Sequence, residues 1–195
     1  MGLRERKAVR TRQTILEVGF EFFTQKGYDR TTMEEIAEKA DISLSTLYRY
    51  FPTKDLIVLD PIIGGLGMVP RILGDRPAEE SIEVALGYAL KEYLQFYDEN
   101  ADQINQLRAI LDTTTRPRAQ LWDLQNQEIQ LLEEAIARRC GDKVNSLWVS
   151  AAAHATSMIY AIAIEHSRDG KRKATDIAHE LDVILRSTPV VIPRL

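Results

Sequence analysis

The stretch that decides the fold is residues 31–59, TTMEEIAEKADISLSTLYRYFPTKDLIVL. Its first part predicts a short helix that begins after Thr32. The Thr32 hydroxyl can accept a hydrogen bond from the backbone N–H of Glu35, and the Glu35 carboxylate can reach back to the backbone N–H of Thr32. This reciprocal pair is a common helix start, and the apolar residues that follow it have helical spacing.

A second short helix follows. Ser43 is its predicted N-cap, and Pro52 ends it because proline disfavours helical backbone in the preceding residue. Thr53 then caps a third helix. On a helical wheel, Leu47 and Phe51 of the second helix point to one side. The residues that point away are polar or aromatic: Ser45, Thr46, Tyr48 and Arg49. This pattern is typical of a helix-turn-helix, whose second helix enters the DNA major groove. A helix pair packed within an α-helical core is the alternative.

Residues 12–56 resemble the N-terminal domain of the TetR (tetracycline repressor) family of transcriptional regulators. The resemblance lies in FEFFTQKGYDRTTMEEIAEKADIS and TLYRYFPTKDLI. It implies an all-α fold with a three-helix DNA-binding domain over residues 1–55 and a helical ligand-binding and dimerisation domain over residues 56–195. It also implies a homodimeric regulator, more often a repressor, that binds a palindromic DNA operator and responds to a small molecule.

The chemistry of the motif assigns roles to its polar side chains. Hydroxyl and guanidinium groups on the outer face of the second helix are candidates for base edges, because arginine can pair with guanine. Those candidates are Ser45, Thr46 and Arg49; Leu44 either touches a thymine methyl or seals the fold. Phosphate contacts are predicted for residues at helix starts and on the flanks of the motif: Thr32, Ser43, Tyr48, Tyr50 and Lys54. In the resembled family a lysine commonly stands where Lys54 does, and Tyr28 matches an aromatic core position.

Composition sets limits on the function. The chain has 195 residues, 45% of them hydrophobic, and a net charge of −4, which argues against indiscriminate coating of nucleic acid. Residues 1–55 carry ten basic and nine acidic side chains, whereas the rest carry 15 and 20. The first twelve residues form a cationic arm beside the motif, or simply a solvated terminus: Arg4, Arg6, Lys7, Arg10 and Arg12. The single cysteine excludes an intramolecular disulfide, and with no apolar leader at the N-terminus a cytoplasmic protein is expected.

The helix before the motif is predicted from about Lys7 to Lys26. After the motif, prolines and glycines follow one another between residues 60 and 70, which predicts a kink or break in the connecting helix. In the resembled family this element is a continuous rod, so the sequence departs from the family there. The break is either a hinge or a surface connection without regulatory consequence.

From residue 77 onward the chain reads as helices with short breaks. Residues 147–164 carry no formal charge, but they include hydroxyls and a histidine and are rich in alanine, so we do not expect a membrane span. A helix that is apolar on most sides must be covered by its own core and by a partner. The resemblance implies a homodimer formed through residues 144–166 and 175–186.

Aromatic and sulfur side chains of the C-terminal part can line a pocket for an apolar effector, although ordinary core packing explains such residues equally well. The predicted ligand-binding set is Tyr93, Phe96, Trp122, Trp148 and Met158. The stretch LRAILDT and the helix with RAQLWDLQNQE resemble mycofactocin-associated regulators of the same family.

Other chemistry is set aside. The histidines, His154, His166 and His179, have no metal-ligand spacing, and neither a phosphate-binding glycine loop nor a glycine-flanked nucleophilic serine is present. We therefore expect no enzyme activity, no metal site and no cofactor. Two alternatives from other classes stay open: an all-α small-molecule-binding or enzymatic protein without DNA binding, and an adaptor that binds protein through its small domain.

Overall fold

The computed structural model describes residues 2–141 and 144–187, and these residues form α-helices without any β-strand. The all-α prediction is confirmed. The helices are α1 (Leu3–Lys26), α2 (Met33–Lys39), α3 (Leu44–Tyr50), α4 (Lys54–Ile63), α5 (Met68–Asp75), α6 (Ile82–Glu99), α7 (Ala101–Asp112), α8 (Arg116–Cys140), α9 (Ser146–His166) and α10 (Ala174–Ser187).

Side-chain caps start the helices of the motif, as the sequence predicts. The Thr32 hydroxyl accepts from the Glu35 N–H at 3.2 Å, and the Glu35 carboxylate accepts from the Thr32 N–H at 2.9 Å. Ser43 accepts from the Thr46 N–H at 3.1 Å, and Thr53 caps α4 in the same way. Each cap satisfies a backbone donor that the first helical turn leaves without a partner.

The first helix is longer than predicted. It begins at Leu3 instead of Lys7, because the Gly2 N–H donates to the Glu5 carboxylate at 2.7 Å and so starts the helix four residues earlier. The many charged side chains of residues 1–12 suggested an N-terminus that precedes the helix. Charged side chains are, however, compatible with a solvent-exposed helix.

The predicted break after the motif is confirmed. α4 ends at Ile63, α5 begins at Met68, and Gly67 between them has a φ of 73°, in the left-handed region that favours glycine. At the other end of the chain, Pro189 and Pro193 predict that residues 188–195 leave the helical body, but these residues lie outside the described part of the structure.

Packing divides the chain into two units. The first contains residues up to Gly64 together with residues 102–124, so α7 and the first turns of α8 pack with α1 to α4. Fully buried side chains of this unit come from α1, α2, α3, α4 and α7: Ile15, Ile36, Leu47, Ile57 and Leu107. The predicted division into functional domains at residue 55 stays a prediction, and packing adds residues 56–64 and 102–124 to the N-terminal unit.

The second unit contains residues 65–101 and the described residues from 125 onward. Its apolar core joins α5, α6, α8 and α9: Val69, Leu73, Ala85, Ala89, Leu132, Ala135, Ile136, Val149 and Ala153. Asp98 at the end of α6 holds the start of α10, since its carboxylate accepts from the Ala174 N–H at 2.7 Å and from the Thr175 hydroxyl at 2.7 Å. This contact fixes the two helices against each other.

Two stretches, Leu44–Asp75 and Ser146–His166, are apolar and long enough to cross a membrane by length and composition alone. The first consists of three separate helices, whose side chains include the fully buried Leu47 and Ile57. The second is α9, and only 33% of its apolar window is buried in the described structure. A single copy of the chain therefore leaves much of α9 uncovered.

Gly19 marks a close approach of α1 and α4. A Cβ at this position would lie 2.7 Å from Cγ2 of Ile57, which is fully buried and stiff because it is β-branched. We expect Gly19→Ala to lower the free energy of unfolding by about 1 to 2 kcal/mol despite the higher helix propensity of alanine. Gly87→Ala in α6 is the matched control, because nothing lies within 4 Å of its Cβ position. Urea unfolding should show that control unchanged or more stable, and equal stability of both variants would contradict the close approach.

Candidate DNA-binding surface

The turn between α2 and α3 sets the orientation of α3. The Ile42 N–H donates to the Ala37 carbonyl at 3.0 Å, and Asp41 adopts a φ of 53°, which reverses the chain within three residues. Leu47 and Phe51 then insert into the core of the first unit, where both are almost completely buried. The inner face of α3 is thereby fixed, and the opposite face has to point outward.

The outer face carries the residues that the helical wheel placed there. Ser45 and Arg49 are exposed, Tyr48 is 43% exposed and Thr46 is half-buried. None of the polar groups of this face is used to hold the core. The predicted orientation of α3 is therefore confirmed, while the individual DNA contacts stay predictions.

Three hydroxyls meet at the start of α3. The Ser43 hydroxyl donates to Oγ1 of Thr46 at 2.8 Å and lies 3.0 Å from Oγ of Ser45. The backbone N–H of Thr46 donates to the same Ser43 oxygen. These bonds orient the hydroxyls beside the positive end of the helix, where anions and base acceptors are favoured.

The other predicted contacts on α3 differ in exposure. The guanidinium carbon of Arg49 lies 5.7 Å from the centre of the Tyr50 ring, so the ring supports the arginine while leaving its N–H groups exposed. Tyr50 and Leu44 are half-buried and pack against the apolar core of the first unit. For Leu44, this packing favours the sealing role over contact with a thymine methyl.

Lys54 is bound by the protein itself. Its Nζ donates to the backbone carbonyls of Tyr28 at 2.7 Å and Thr31 at 2.8 Å, and lies 4.1 Å from the centre of the Tyr28 ring. Burial lowers the pKa of the ammonium, and the nearby Asp29 and Asp55 oppose that shift. Two of the three N–H groups are thus occupied, which leaves one for a phosphate.

The sequence did not reveal the buried polar group beside Lys54. The Tyr28 hydroxyl donates to the carboxylate of Asp55, which is buried, and Nε of Arg116 lies 3.7 Å from the second Asp55 oxygen. Burial and the bond to Asp55 raise the pKa of the Tyr28 phenol far above its usual range. The only sequence signal was an acid in the first turn of a capped helix, which is normally exposed. The predicted core position of Tyr28 is confirmed.

Arg12 does not belong to a free cationic arm. Its guanidinium pairs with Asp60 of α4 and lies 4.7 Å from the centre of the Phe51 ring, so it joins α1, α3 and α4. Burial raises the pKa of Asp60, and the pairing with Arg12 opposes the rise. The exposed basic residues of the arm are Arg4, Arg6, Lys7 and Arg10.

The five predicted ligand-binding residues are not brought together in one cavity. Trp148 lines an open groove of about 770 Å³ among α6, α9 and α10, whose apolar lining also includes Leu86, Leu90 and Ile159. The other four lie elsewhere. Tyr93 packs against Tyr160 with ring centres 5.3 Å apart, Phe96 is half-buried on α6, Met158 is 44% exposed, and Trp122 is 66% exposed within the first unit. Spacing along helices could not show which helix faces the groove.

The capped two-helix unit and its polar outer face define a helix-turn-helix protein. Residues 15–60 match the family model described as "Bacterial regulatory proteins, tetR family". The regulator TcmR of Streptomyces glaucescens is 36% identical over 93 residues, which are 48% of this chain and 41% of TcmR. The repressor KstR of Mycolicibacterium smegmatis is 42% identical over 43 residues, 22% of this chain and 21% of KstR. Residues 15–60 thus match the tetR family model, and the matches to curated regulators fall on part of each relative.

Solved structures extend the likeness in fold to nearly the whole chain. NalD of Pseudomonas aeruginosa, the secondary repressor of the MexAB-OprM multidrug efflux pump, has a TM-score of 0.61 at 20% identity and covers 93% of this chain and 96% of its own. FadR of Bacillus subtilis in complex with stearoyl-CoA has a TM-score of 0.60 at 14% identity, covering 90% and 97%. At these sequence identities the similarity supports the fold and nothing further.

The match to curated relatives is confined to part of each protein. This chain spans less than half the length of TcmR and about a fifth of KstR. The resemblance of the C-terminal part to mycofactocin-associated regulators stays a prediction.

We expect Glu35 to make the stability of the domain depend on pH. Lys26, 2.5 Å from the Glu35 carboxylate, and the two Thr32 donors lower the pKa of Glu35 from 4.5 to about 2. The folded chain thus binds this proton less readily than the unfolded chain. Glu35 therefore contributes stability above its ordinary pKa, and that contribution is lost as the pH falls from 4.5 towards 2.

The urea concentration at the unfolding midpoint should accordingly be higher for wild type than for Glu35→Gln at pH 6. This difference should become smaller at about pH 3. The neighbouring exposed Glu34→Gln is the control for loss of a surface charge. A separation that is constant across this pH range would exclude the capping carboxylate as its source.

Proposed function

We propose that this protein is a homodimeric, ligand-responsive transcriptional regulator, acting as a repressor in the cytoplasm, that binds a palindromic DNA operator through two copies of α3. The observation that carries the proposal is the division of α3 into two faces. Leu47 and Phe51 fix the inner face in the core, and the outer face presents hydroxyls, a phenol and a guanidinium. A short helix of this kind on a capped turn fits the major groove.

The roles of individual side chains follow from their chemistry and exposure. Arg49 pairs with guanine, because its exposed guanidinium matches the two acceptors of that base in the major groove. Ser45 and Thr46 read neighbouring base edges. Phosphates are bound at the flanks by Thr32, Ser43, Tyr48, Tyr50 and Lys54, which position the helix without reading sequence.

Dimerisation through α9 and α10 explains the apolar surface that one copy leaves uncovered. Five large apolar side chains are exposed on these helices: Leu147 (79%), Trp148, Met158, Val183 and Ile184. Small residues of α9, such as Ala151 and Ala161, allow another helix to approach closely. In the dimer, α9 and α10 of one copy pack against α9 and α10 of the other across a two-fold axis. The result is a four-helix interface in which both copies use the same surface patch.

The two-fold symmetry of the dimer then sets the spacing of the two half-sites in the operator. The two α3 helices must lie about one turn of DNA apart, roughly 34 to 36 Å, or a multiple of it. An effector that binds better to a dimer with another spacing lowers DNA affinity by that difference in binding free energy. The apolar groove lined by Trp148, Leu86 and Leu90 favours an apolar effector. FadR of Bacillus subtilis, which shares the fold, was solved with stearoyl-CoA.

The competing class is an all-α binding protein or enzyme that does not bind DNA. The curated relatives matched at the N-terminal domain are described as transcriptional regulators or repressors. Among the described residues, His, Cys, Asp and Glu side chains form no group that could hold a metal ion. The polar outer face of α3 also argues against an adaptor, which would present apolar residues to a protein partner.

Substitutions on the motif should separate base recognition from phosphate binding. Arg49→Ala should lose about 1 to 3 kcal/mol of binding free energy on the preferred operator and relax base preference, because it removes a base contact. Lys54→Ala should weaken all sequences alike and reduce the salt slope by about one. The operator comes from genomic DNA selection with the purified protein, and fluorescence anisotropy at several salt concentrations measures both effects.

Two controls keep this result interpretable. Lys54→Ala also removes two bonds to backbone carbonyls, so circular dichroism must show that the variant is folded. Arg71→Ala on α5 removes an exposed charge outside the motif. If Arg49→Ala and Lys54→Ala bind like wild type, the assigned DNA surface is wrong.

The dimer interface is tested on α9. Met158→Glu should shift the protein to monomer at micromolar concentration, because association would bury an unpaired carboxylate on both sides of the axis. Val84→Glu on α6 is the matched control, since Val84 is also an exposed apolar residue but lies outside the proposed interface. Analytical ultracentrifugation distinguishes the two, and a Met158→Glu variant that stays dimeric would refute this interface.

A further inference from the structure

The groove among α6, α9 and α10 runs between two points at which α6 and α10 are joined. At one end, Nη1 of Arg186 in α10 lies 2.9 Å from Oε1 of Glu83 in α6. At the other end, the carboxylate of Asp98 in α6 accepts a hydrogen bond of 2.7 Å from the hydroxyl of Thr175 in α10. The two helices are therefore antiparallel. Glu83 and Asp98 are 15 residues apart, which corresponds to about 22 Å along a helix.

Small residues leave space between these two joints. Gly87 of α6 lines the groove, and nothing lies within 4 Å of its Cβ position. Ala152 and Ala155 line the groove on the α9 side. Along α6 the lining extends from Ile82 to Gln95, so the space is elongated in the direction of the helix. An extended apolar chain fits such a space better than a compact group does.

The charged residues at the Glu83 end of the groove are already paired. Arg186 contacts Glu83, and its Nε lies 2.8 Å from Oδ1 of Asp182. All three side chains line the groove. Because this cluster contains two carboxylates and one guanidinium, it does not favour an anion.

Two other nitrogen-bearing side chains of the lining are available for a ligand. Lys91 lies eight residues after Glu83 in α6, and His179 lies seven residues before Arg186 in α10. Because the helices are antiparallel, these spacings place Lys91 and His179 at the same level on opposite rims of the groove. Both are exposed, and within residues 2–141 and 144–187 no ion pair or side-chain hydrogen bond holds either of them. An ammonium and an imidazole N–H can therefore donate into the same space.

Asp176 is the remaining acid of the lining. It precedes His179 by three residues, in the direction of Thr175. Its charge repels an anion, so an anionic group in the groove is favoured on the Lys91 side of His179.

We propose that this groove binds a long-chain carboxylic acid, with the carboxylate between Lys91 and His179 and the alkyl chain along the apolar lining. The carboxylate accepts from the Lys91 ammonium and from an imidazole N–H of His179. The chain packs against Leu86, Leu90 and Trp148, and each methylene that is removed from water adds to the affinity. This inference rests on the proposed function, since it names the chemical class of the effector that the same groove binds.

Two soluble probes separate the contribution of the head group from that of the chain. Dodecanoate carries a carboxylate, whereas dodecyltrimethylammonium carries a cation on the same alkyl chain. Isothermal titration calorimetry of the purified full chain, at about pH 7.5 where carboxylic acids are ionised, should show at least about tenfold tighter binding of dodecanoate. Both probes are kept below their micelle concentrations. Octanoate should bind at least about tenfold more weakly than dodecanoate, because its shorter chain buries fewer methylenes.

Substitutions of the head-group contacts identify the binding atoms. Lys91→Gln and His179→Gln should each weaken dodecanoate by about three- to tenfold and leave dodecyltrimethylammonium nearly unchanged. Lys91→Arg should keep most of the affinity, and Lys91→Glu should reverse the preference between the two probes. Lys173→Gln is the matched control, because Lys173 is an exposed lysine of the same unit that does not line the groove.

Two further variants test the groove itself. Gly87→Leu should fill part of the space and weaken both probes by a similar factor, and it should fold because leucine has a higher helix propensity than glycine. Asp176→Asn should strengthen dodecanoate, since it removes a repulsive charge from the lining. Circular dichroism verifies that each variant is folded.

Equal affinity for the two probes, or no binding of dodecanoate up to its micelle concentration, would overturn the inference. The same holds if Lys91→Gln and His179→Gln both keep wild-type affinity, or if the thioester dodecanoyl-CoA binds and dodecanoate does not. DNA binding is measured separately on the selected operator. If the operator binds and dodecanoate does not, only this inference fails. If no operator binds, the proposed function fails, whereas discrimination between the probes would still assign the groove to a carboxylic acid.

Discussion

Burial of Leu47 and Phe51 is the constraint on which the rest of the proposed DNA-binding surface depends. α3 has only seven residues, too few to be stable as an isolated helix, so tertiary packing has to hold it. With these two side chains inserted into the core, the helix cannot rotate without exposing them. Each buried side chain of this size contributes about 1.5 to 3 kcal/mol. The orientation of Arg49 and the three hydroxyls is therefore a consequence of apolar packing on the opposite face.

Polar contacts reinforce this arrangement from both sides of α3. Lys54 binds two backbone carbonyls of the segment before α2, and Arg12 joins α1 to α4 while it covers the Phe51 ring. Beside them the Tyr28 hydroxyl is held by Asp55, with Arg116 of α8 near the same carboxylate. Residues from distant parts of the chain thus converge on α4. The sequence predicted Lys54 only as a phosphate contact. In the structure its side chain also holds the segment before α2 in place.

The second unit shows the opposite feature, groups that have no partner among the described residues. The exposed apolar residues of α9 and α10 require a covering surface, and in the proposed dimer a second copy supplies it. The free oxygen of Glu128 requires a donor, and its burial means that bulk water does not provide one freely.

By itself the sequence determined the local features. The Thr32–Glu35 box, the caps at Ser43 and Thr53, the two faces of α3 and the break before Gly67 were all predictable, because they depend on residues within a few positions of one another. The tertiary structure alone decided that Glu128 binds Gly67, that Asp55 is buried beside Tyr28, and that Trp122 lies exposed while Trp148 lines a groove. Such contacts join residues tens of positions apart, and no local pattern in a single sequence encodes which helices will meet.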